Sequence, residues 1–282
     1  MKILIVGGNS SVAQVLRPVL ATFADVLTAG RSGCDVALDL SWPDDQFCLP
    51  QGLDCVIQLA AHFGGRDYDE MMGAEQVNVL GALKICRACT RAGVGHLVQV
   101  SSIFAGLSET SPFFGSYALS KRHAEEVARL YCDSSGLPLT ILRPAQIYGE
   151  GESFRKHQPF LYSILDKAQN NEDIVLYGDN DAQRNLIHAE DVAEVIARVI
   201  QQRVLGQFAC VGQTNVRYTE IAAAAIGAFD SHSDIRFVAD KPNILDNAFA
   251  PDETLYRLIG YFPKISLIQG MAREAVRRKA MP

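Results

Sequence analysis

Tyr117 and Lys121 stand four residues apart, downstream of the pair Ser101-Ser102. On a helix this spacing puts both side chains on one face, one turn apart. An ammonium fixed beside a phenol favours the phenolate, so the spacing predicts a Tyr117 pKa lowered from ~10 towards neutrality. A phenol tuned in this way can exchange a proton with a substrate hydroxyl. A hydroxyl of the serine pair would supply a second hydrogen bond to the same oxygen. The pair alone is common on helix surfaces; its place in the chain gives it meaning.

That place is a succession of short apolar runs and helical patterns. Strands are expected at 2–6, 25–30, 54–60, 96–100 and 139–142, and helices at 11–21, 75–92 and 117–134. Repeated β-α-β order implies a parallel sheet with helices on both faces, a Rossmann-type doubly wound α/β fold. Gly93 and Gly95 close one helix, and Gly136 and Pro138 the next. After residue 150 the rhythm loosens. Helices are expected at 158–169, 191–202 and 221–226, with a strand running into a turn at 175–180. The division expected is 1–150 as a dinucleotide-binding domain and 151–282 as a smaller mixed substrate lobe, interleaved with the first.

The first strand runs into Gly7-Gly8-Asn9-Ser10-Ser11-Val12-Ala13 and a helix. A glycine turn opening a helix is the context for a dinucleotide pyrophosphate on a helix N-terminus. With Gly7 as the first glycine, Ser10 and Ala13 stand at the second and third positions. Ala13 still permits close packing, and the Ser10 hydroxyl can donate to a phosphate oxygen. After the second strand comes Arg31-Ser32 where an acidic residue would grip a ribose 2′-hydroxyl. A guanidinium there suits a 2′-phosphate and favours NADP(H) over NAD. Asp39-Leu40 falls where a carboxylate can accept from an adenine amino group.

The 282 residues are 48% hydrophobic with a formal net charge of −6. That is enough for a full core and argues against a general nucleic-acid or acidic-membrane binder. No apolar run approaches the ~20 residues of a membrane helix. The apolar start is too short for a signal peptide and reads as the first strand. The seven cysteines lack metal-type spacing. Cys86 and Cys89 form C-x-x-C inside a helical pattern and read as packing thiols, so no metal is expected and a reducing cytoplasm fits.

Several segments together resemble the extended short-chain dehydrogenase/reductase family, in its NAD-dependent epimerase/dehydratase branch. They are the glycine turn, Gln58-Leu59-Ala60-Ala61-His62, Asn78-Val79-Leu80-Gly81, Val100-Ser101-Ser102, Tyr117-x-x-x-Lys121, Leu142 to Gly149 and Arg184 to Val192. They cover roughly residues 2–200. The resemblance implies Ser102 and Tyr117 as catalytic groups, with Lys121 bonding the nicotinamide ribose. Leu59, Ala60 and Ala61 would run beneath the cofactor, Asn78 would brace the site, and Pro144 and Ile147 would wall the nicotinamide. Gln146 would touch the substrate phosphate and Arg184 would pair with a nucleotide-sugar diphosphate. His62 and His157 are candidates for a substrate contact or a further acid/base. His188 and Asp191 read as fixing the start of the following helix. Relatives that eliminate water carry an acidic pair after the catalytic Ser/Thr; Ile103 and Phe104 occupy those positions and cannot transfer protons.

The resemblance thus implies an NAD(P)-dependent epimerase or ketoreductase of a nucleotide sugar. Two rivals stay open: an NADP(H)-dependent reductase of a non-nucleotide carbonyl, and a non-catalytic dinucleotide sensor. It also implies a homodimer paired through the helices near 75–92 and 117–134.

Overall fold

The structure, a computed structural model, describes residues 1–43 and 46–280. The chain divides into two compact units. The first comprises Met1–Pro144, Ala193–Cys210 and Thr254–Tyr261; the second comprises Ala145–Val192, Val211–Glu253 and the chain from Phe262 onward. No helix among the described residues is long and apolar enough to cross a membrane.

In the first unit the apolar runs form β1 (Lys2–Val6), β2 (Asp25–Gly30), β3 (Val36–Ala37), β4 (Cys55–Gln58), β5 (His96–Val100) and β6 (Leu139–Pro144). Among the described residues these build a parallel sheet in the order 3-2-1-4-5-6, extended beyond β6 by the strand Gly206–Cys210. The reversal of order at β1 and β4 is the place where a doubly wound sheet opens a crevice at its carboxyl ends. Register fixes what borders it. Val6 pairs with Ala29 and Gln58, and Gln58 with Gln99. Gly7, Arg31, Leu59 and Ser101 therefore leave the sheet along one edge.

Helix α1 (Ser11–Leu20) follows β1. α2 (Tyr68–Ala74) runs through a π-helical segment, Glu75–Leu80, into α3 (Gly81–Ala92), which ends on Gly93 in the left-handed conformation. This helix begins earlier than the sequence pattern indicates, because Asp67 caps it: its carboxylate accepts from Glu70 N at 2.8 Å. α4 (Ser116–Ser135) is the longest of these and ends on left-handed Gly136. Leu4, Val56, Ile85, Cys89, Leu97 and Ala128 interlock between sheet and helices. Cys86 and Cys132 belong to the same buried cluster, their sulfurs 3.8 Å apart. A buried run of this kind removes most of each side chain's apolar surface from water, worth ~1.5–3 kcal/mol per large side chain.

The second unit carries a three-stranded sheet, in which Gln183–His188 pairs in parallel with Gln146–Tyr148 and antiparallel with Asn215–Arg217. It also carries a two-stranded parallel sheet of Ile174–Tyr177 and Ile235–Val238. Helices Pro159–Gln169, Tyr218–Phe229 and Leu267–Lys279 cover these strands. Glu274 is 2% exposed and binds Arg277 and Arg278 at 2.8 Å and the Gly151 amide at 3.0 Å, which ties the C-terminal helix to the 150–152 loop. Asp191 sits in the first turn of its helix as expected. Its carboxylate also accepts from the Lys264 and Ile265 amides at 2.8 and 3.0 Å, so it pins a distant segment as well as opening a helix.

Candidate active site

The glycine turn is shaped for close approach. Gly7 has φ +88°, and a Cβ there would lie 2.7 Å from Ala60 N and 2.9 Å from Ala60 Cα. A Cβ on Gly8 would lie 2.6 Å from Thr28 Cβ. Both amides donate to Ala29 O, at 2.9 and 3.1 Å. Ser10 is the N-cap of α1, its hydroxyl accepting from Ala13 N at 3.2 Å. The turn therefore delivers the positive end of α1, with Ser11 and Val12 as its first residues, to the carboxyl edge of the sheet. These features fit a dinucleotide pyrophosphate.

Asn9 Nδ2 donates to Ser32 O at 2.6 Å and so ties the glycine turn to the loop after β2. Arg31 is exposed on that loop. Asp39 Oδ1 accepts from the Ser41 amide and hydroxyl at 2.9 and 2.8 Å. These bonds, with the charges of Arg31 and Lys84 adding to them, hold Asp39 below its ordinary pKa against the opposing effect of burial. The adenine contact expected of Asp39 would have to use its remaining lone pairs. Leu40 is buried beside Gly81, and its carbonyl accepts from Lys84 Nζ at 3.1 Å. Leu59 and Ala60 follow β4, and their amides donate to Val6 O at 2.9 and 3.1 Å; Ala61 comes next, and Pro144 closes β6.

Ser102, Tyr117 and Lys121 converge. Ser102 caps the 3-10 turn Ile103–Gly106, and its hydroxyl accepts from Phe104 N at 3.2 Å. It lies near enough to the Tyr117 phenol to favour its ionised form. Lys121 is 5% exposed; its Nζ donates to Val100 O at 3.1 Å and lies 5.9 Å from the Tyr117 ring centroid. The phenol corrects one expectation. Its pKa is not lowered: burial pushes it up to about 12, and the nearby Ser102 hydroxyl opposes only part of that. Burial also lowers Lys121 to about 8, with Glu125 working the other way. The physical reason is that the ammonium turns to the carbonyl at the end of β5. Both groups pay desolvation, which disfavours whichever form is charged.

Glu125, one turn beyond Lys121, is fully buried and gripped by Arg143 on β6 through contacts of 2.5, 2.9 and 3.1 Å. Asn78, in the π-helical segment, braces the loop after β4. Its Oδ1 accepts from His62 N at 2.8 Å, and its Nδ2 donates to His62 O at 2.8 Å and to Ser120 Oγ at 2.9 Å. A π-bulge is a common device for turning one side chain out of helical phase. Here it turns Asn78 between the β4 loop and α4. His62 Nδ1 accepts from Gly64 N at 3.0 Å, so that nitrogen is committed within its own loop.

Sequence reasoning passed over Phe63. Its ring stacks on Tyr117 at 5.2 Å between centroids and 18° between planes. The available signal was an aromatic residue followed by two glycines directly after the cofactor strand.

The remaining candidates belong to the second unit. Ile147 and Gln146 lie on the strand Gln146–Tyr148. Gln146 Oε1 is buried with no hydrogen-bond partner among the described residues, while its Nε2 reaches Gln158 Oε1 at 3.5 Å. A buried orphan acceptor fits a group that meets a ligand. Arg184 NH1 donates to Gln183 O at 2.9 Å and Leu245 O at 2.6 Å, and its guanidinium lies 4.8 Å from the Tyr218 ring centroid. His157 is exposed at the end of a short helical turn, its pKa lowered by partial burial and by Lys156. His188 is buried, and its Nδ1 accepts from Glu190 N at 3.3 Å, which fixes the start of the helix Ala189–Gln202.

The model of the NAD dependent epimerase/dehydratase family matches residues 3–209. The dTDP-4-dehydro-6-deoxy-D-allose reductase of a Streptomyces species is 24% identical over 216 residues, covering 69% of this chain and 65% of the relative. The chain thus spans about 65% of the length of the first curated relatives it matches. Among solved structures, the Bordetella bronchiseptica enzyme WbmF in complex with NAD+ superposes with a TM-score of 0.82 at 17% identity, covering 99% of this chain and 92% of that one. RMD from Pseudomonas aeruginosa, complexed with NADPH, gives 0.79 at 18% identity, covering 98% of each chain. At such identities the likeness speaks for the fold.

Proposed function

The chain belongs to the NAD dependent epimerase/dehydratase family, and on that footing we propose that it is an NAD(P)H-dependent ketoreductase of a nucleotide-linked sugar, with Tyr117 as the proton donor. The observation that carries this reading is the meeting of Ser102, Tyr117 and Lys121 around a phenol held protonated, its pKa pushed up to about 12 by burial. At neutral pH such a group is an acid. An acid is what the oxygen of a ketone requires when its carbon is reduced.

A reduced nicotinamide, when bound, would supply the hydride. Gly7, Ser10, Ser11 and Val12 would hold its pyrophosphate, and Arg31 its 2′-phosphate. Asn9, Asp39, Leu40, Leu59, Ala60, Ala61, Asn78, Pro144 and Ile147 complete the binding set. Ser102 donates a hydrogen bond to the substrate oxygen and orients it. Tyr117 gives its proton to that oxygen. The Lys121 ammonium, present below about pH 8, stabilises the phenolate left behind. His62, Gln146, His157 and Arg184 are the proposed substrate contacts, with the Arg184 guanidinium and the Gln146 Nε2 amide as donors to the diphosphate and Gln146 Oε1 open to a substrate hydroxyl.

Reduction is favoured over elimination because Ile103 and Phe104 stand where a second acid/base pair would be needed. Support for a nucleotide-linked keto sugar comes from the Streptomyces relative, named as a reductase of a dTDP-4-dehydro sugar. Support for NADP(H) comes from Arg31, exposed on the loop after β2. We also propose a homodimer through α3 and α4, on the strength of Leu80, Leu83 and Leu130, which are 52%, 37% and 75% exposed on these helical segments.

The test is direct. Wild type, Tyr117→Phe and Arg184→Ala are mixed with NADPH or NADH and a panel of UDP-, GDP-, CDP- and dTDP-linked 4-keto sugars, and absorbance is followed at 340 nm. Wild type consumes the reduced dinucleotide with at least one of them. Tyr117→Phe loses ~100- to 10,000-fold in kcat, the contribution of general acid catalysis. Full activity of Tyr117→Phe would refute the mechanism, and indifference to Arg184→Ala would point to a non-nucleotide carbonyl.

A further inference from the structure

We infer that Phe63 is a specificity-determining residue, one that favours a keto sugar bearing an alkyl rather than a hydroxyalkyl substituent beside the reacting carbonyl. The inference rests on the ketoreductase reading and concerns which substituent that site accepts.

Phe63 is held in place by its neighbours. Asn78 takes both backbone polar groups of His62, at 2.8 Å each. Gly64 has φ +67°, and a Cβ on it would lie 2.4 Å from Ser116 Oγ and 2.9 Å from Tyr117 N. Gly65 N donates to Ser116 Oγ at 3.0 Å, and Ser116 Oγ donates to Gly65 O at 2.7 Å. The loop is therefore fastened to the first turn of the helix that carries Tyr117. Fixing each backbone residue costs ~1–2 kcal/mol in conformational entropy, and glycines lose the most. Core filling does not account for this arrangement, because Phe63 remains 53% exposed. What the loop achieves is a phenyl ring parallel to the phenol, with more than half its surface open.

The surroundings of Ser102 have the same character. Ile103 and Phe104 follow it directly; Phe104 N donates to the Ser102 hydroxyl, and the Phe104 ring stacks with Phe113 at 6.3 Å and 20°. His62 Nδ1 already accepts from Gly64 N. Phe63 thus gives the Tyr117 phenol an apolar neighbour, and the two residues that follow Ser102 in the chain are apolar as well. A methyl group packs against such side chains at no polar cost. A hydroxymethyl group placed there loses water without gaining a partner.

Apolar pockets discriminate modestly against an added hydroxyl, by up to ~100-fold. The experiment compares kcat/KM for two nucleotide-linked 4-keto sugars that differ only in methyl or hydroxymethyl at C5, with NADPH, in wild type, Phe63→Leu and Phe63→Asn. Wild type and Phe63→Leu prefer the methyl substrate by roughly 10- to 100-fold, and Phe63→Asn brings the ratio to within about threefold of unity. NADPH fluorescence titration and thermal melting of Phe63→Asn match wild type, which separates specificity from folding. Reduction of both substrates with the same ratio in wild type and Phe63→Asn overturns the role of Phe63 and leaves the ketoreductase reading standing. Failure of wild type to reduce either substrate overturns both.

Discussion

Lys121→Met separates what the buried ammonium does for catalysis from what it costs the fold. Lys121 is 5% exposed, and burial lowers its pKa from 10.5 to about 8, with Glu125 limiting the fall. A pKa displaced by one pH unit corresponds to ~1.4 kcal/mol, so the folded protein carries a penalty of about 3 kcal/mol wherever the ammonium is charged in both states. The sign follows from proton binding. Below about pH 8 both states hold the proton and the penalty is complete. Between about 8 and 10.5 the folded state has released its proton while the unfolded state keeps it, so stability rises with pH and the penalty fades. Met is close to Lys in shape and uncharged. It removes the penalty but leaves Val100 O without its 3.1 Å donor, a loss of ~1–3 kcal/mol. At pH 7 the variant therefore melts near or above wild type. By pH 10.5 wild type has gained about 3 kcal/mol relative to the variant, a swing on the order of 5–10 °C in Tm. Parallel thermal melts of both proteins from pH 7 to 10.5 measure this gap, and every other titrating group cancels in the difference. A gap that stays constant across the range would refute the buried-ammonium reasoning. The same variant loses at least ~100-fold in turnover, because the phenolate then has no counter-charge.

Arg31→Ala weakens NADPH binding roughly 10- to 100-fold in a fluorescence titration and leaves NADH unchanged, the scale of a charge-assisted hydrogen bond; equal losses for both dinucleotides would remove Arg31 from the 2′-phosphate site. Glu274→Ala destabilises by ~1–3 kcal/mol, because it takes the carboxylate from Arg277 and the Gly151 amide, while Arg278 keeps Asp166 and Gln169. Burial alone would raise the Glu274 pKa, but the two arginines outweigh it and hold it low, so the Glu274 contribution is present above pH 4.5 and lost as pH falls below it; a Glu274→Gln melt that shows the same acid dependence as wild type would refute this assignment. Wild type sediments as two chains at micromolar concentration, and Leu83→Glu with Leu130→Glu sediments as one; a wild-type mass of one chain would dismiss the α3/α4 interface.

The parallel sheet was legible because its central strands are short apolar runs, and β1, β5 and β6 are bounded by glycine or proline. The shared face of Tyr117 and Lys121 was legible because helical spacing is rigid, whereas Ser102 was picked out by the family resemblance of Val100-Ser101-Ser102. Other features depend on tertiary packing that no local pattern records. Helical spacing alone puts the Lys121 ammonium beside the phenol, whereas it reaches the carbonyl at the end of β5. Spacing places a side chain on a helix face but does not choose its hydrogen-bond partner or its burial. The helix expected from residue 75 begins at Tyr68, since the Asp67 cap outweighs a first turn that packs few apolar residues. Gly206–Cys210, a seventh strand of the central sheet, is read only through its pairing with β6, because its own residues show neither a long apolar run nor alternation. The C-terminal helix Leu267–Lys279 was also missed; its last turn is Arg277-Arg278-Lys279, and its position depends on Glu274 meeting those arginines. Phe63 is a single exposed aromatic residue, the kind that sequence analysis passes over without comment.

The supply of protons around Tyr117 narrows the chemistry further than the family does. Elimination of water from a sugar needs one group to remove a proton from carbon and another to protonate the departing hydroxyl. Next to Ser102 the chain offers Ile103 and Phe104, neither of which exchanges protons. Reduction of a ketone needs a single proton, delivered to oxygen. A phenol with its pKa near 12 is ionised in only ~1 molecule in 100,000 at pH 7, so the protonated form is nearly always in place for that step. The reverse oxidation needs the rare phenolate and gains tenfold with each pH unit until about pH 8, where Lys121 begins to lose its proton and the counter-charge with it. Reductive kcat/KM is then flat through the neutral range and falls above about pH 8, while the oxidative rate rises towards the same point and levels off. Two profiles whose slopes each drop by one at the same pH require one shared group. A break in the reductive profile well below pH 7 would require a second titrating group at the reacting oxygen, and the single-donor site would have to be abandoned.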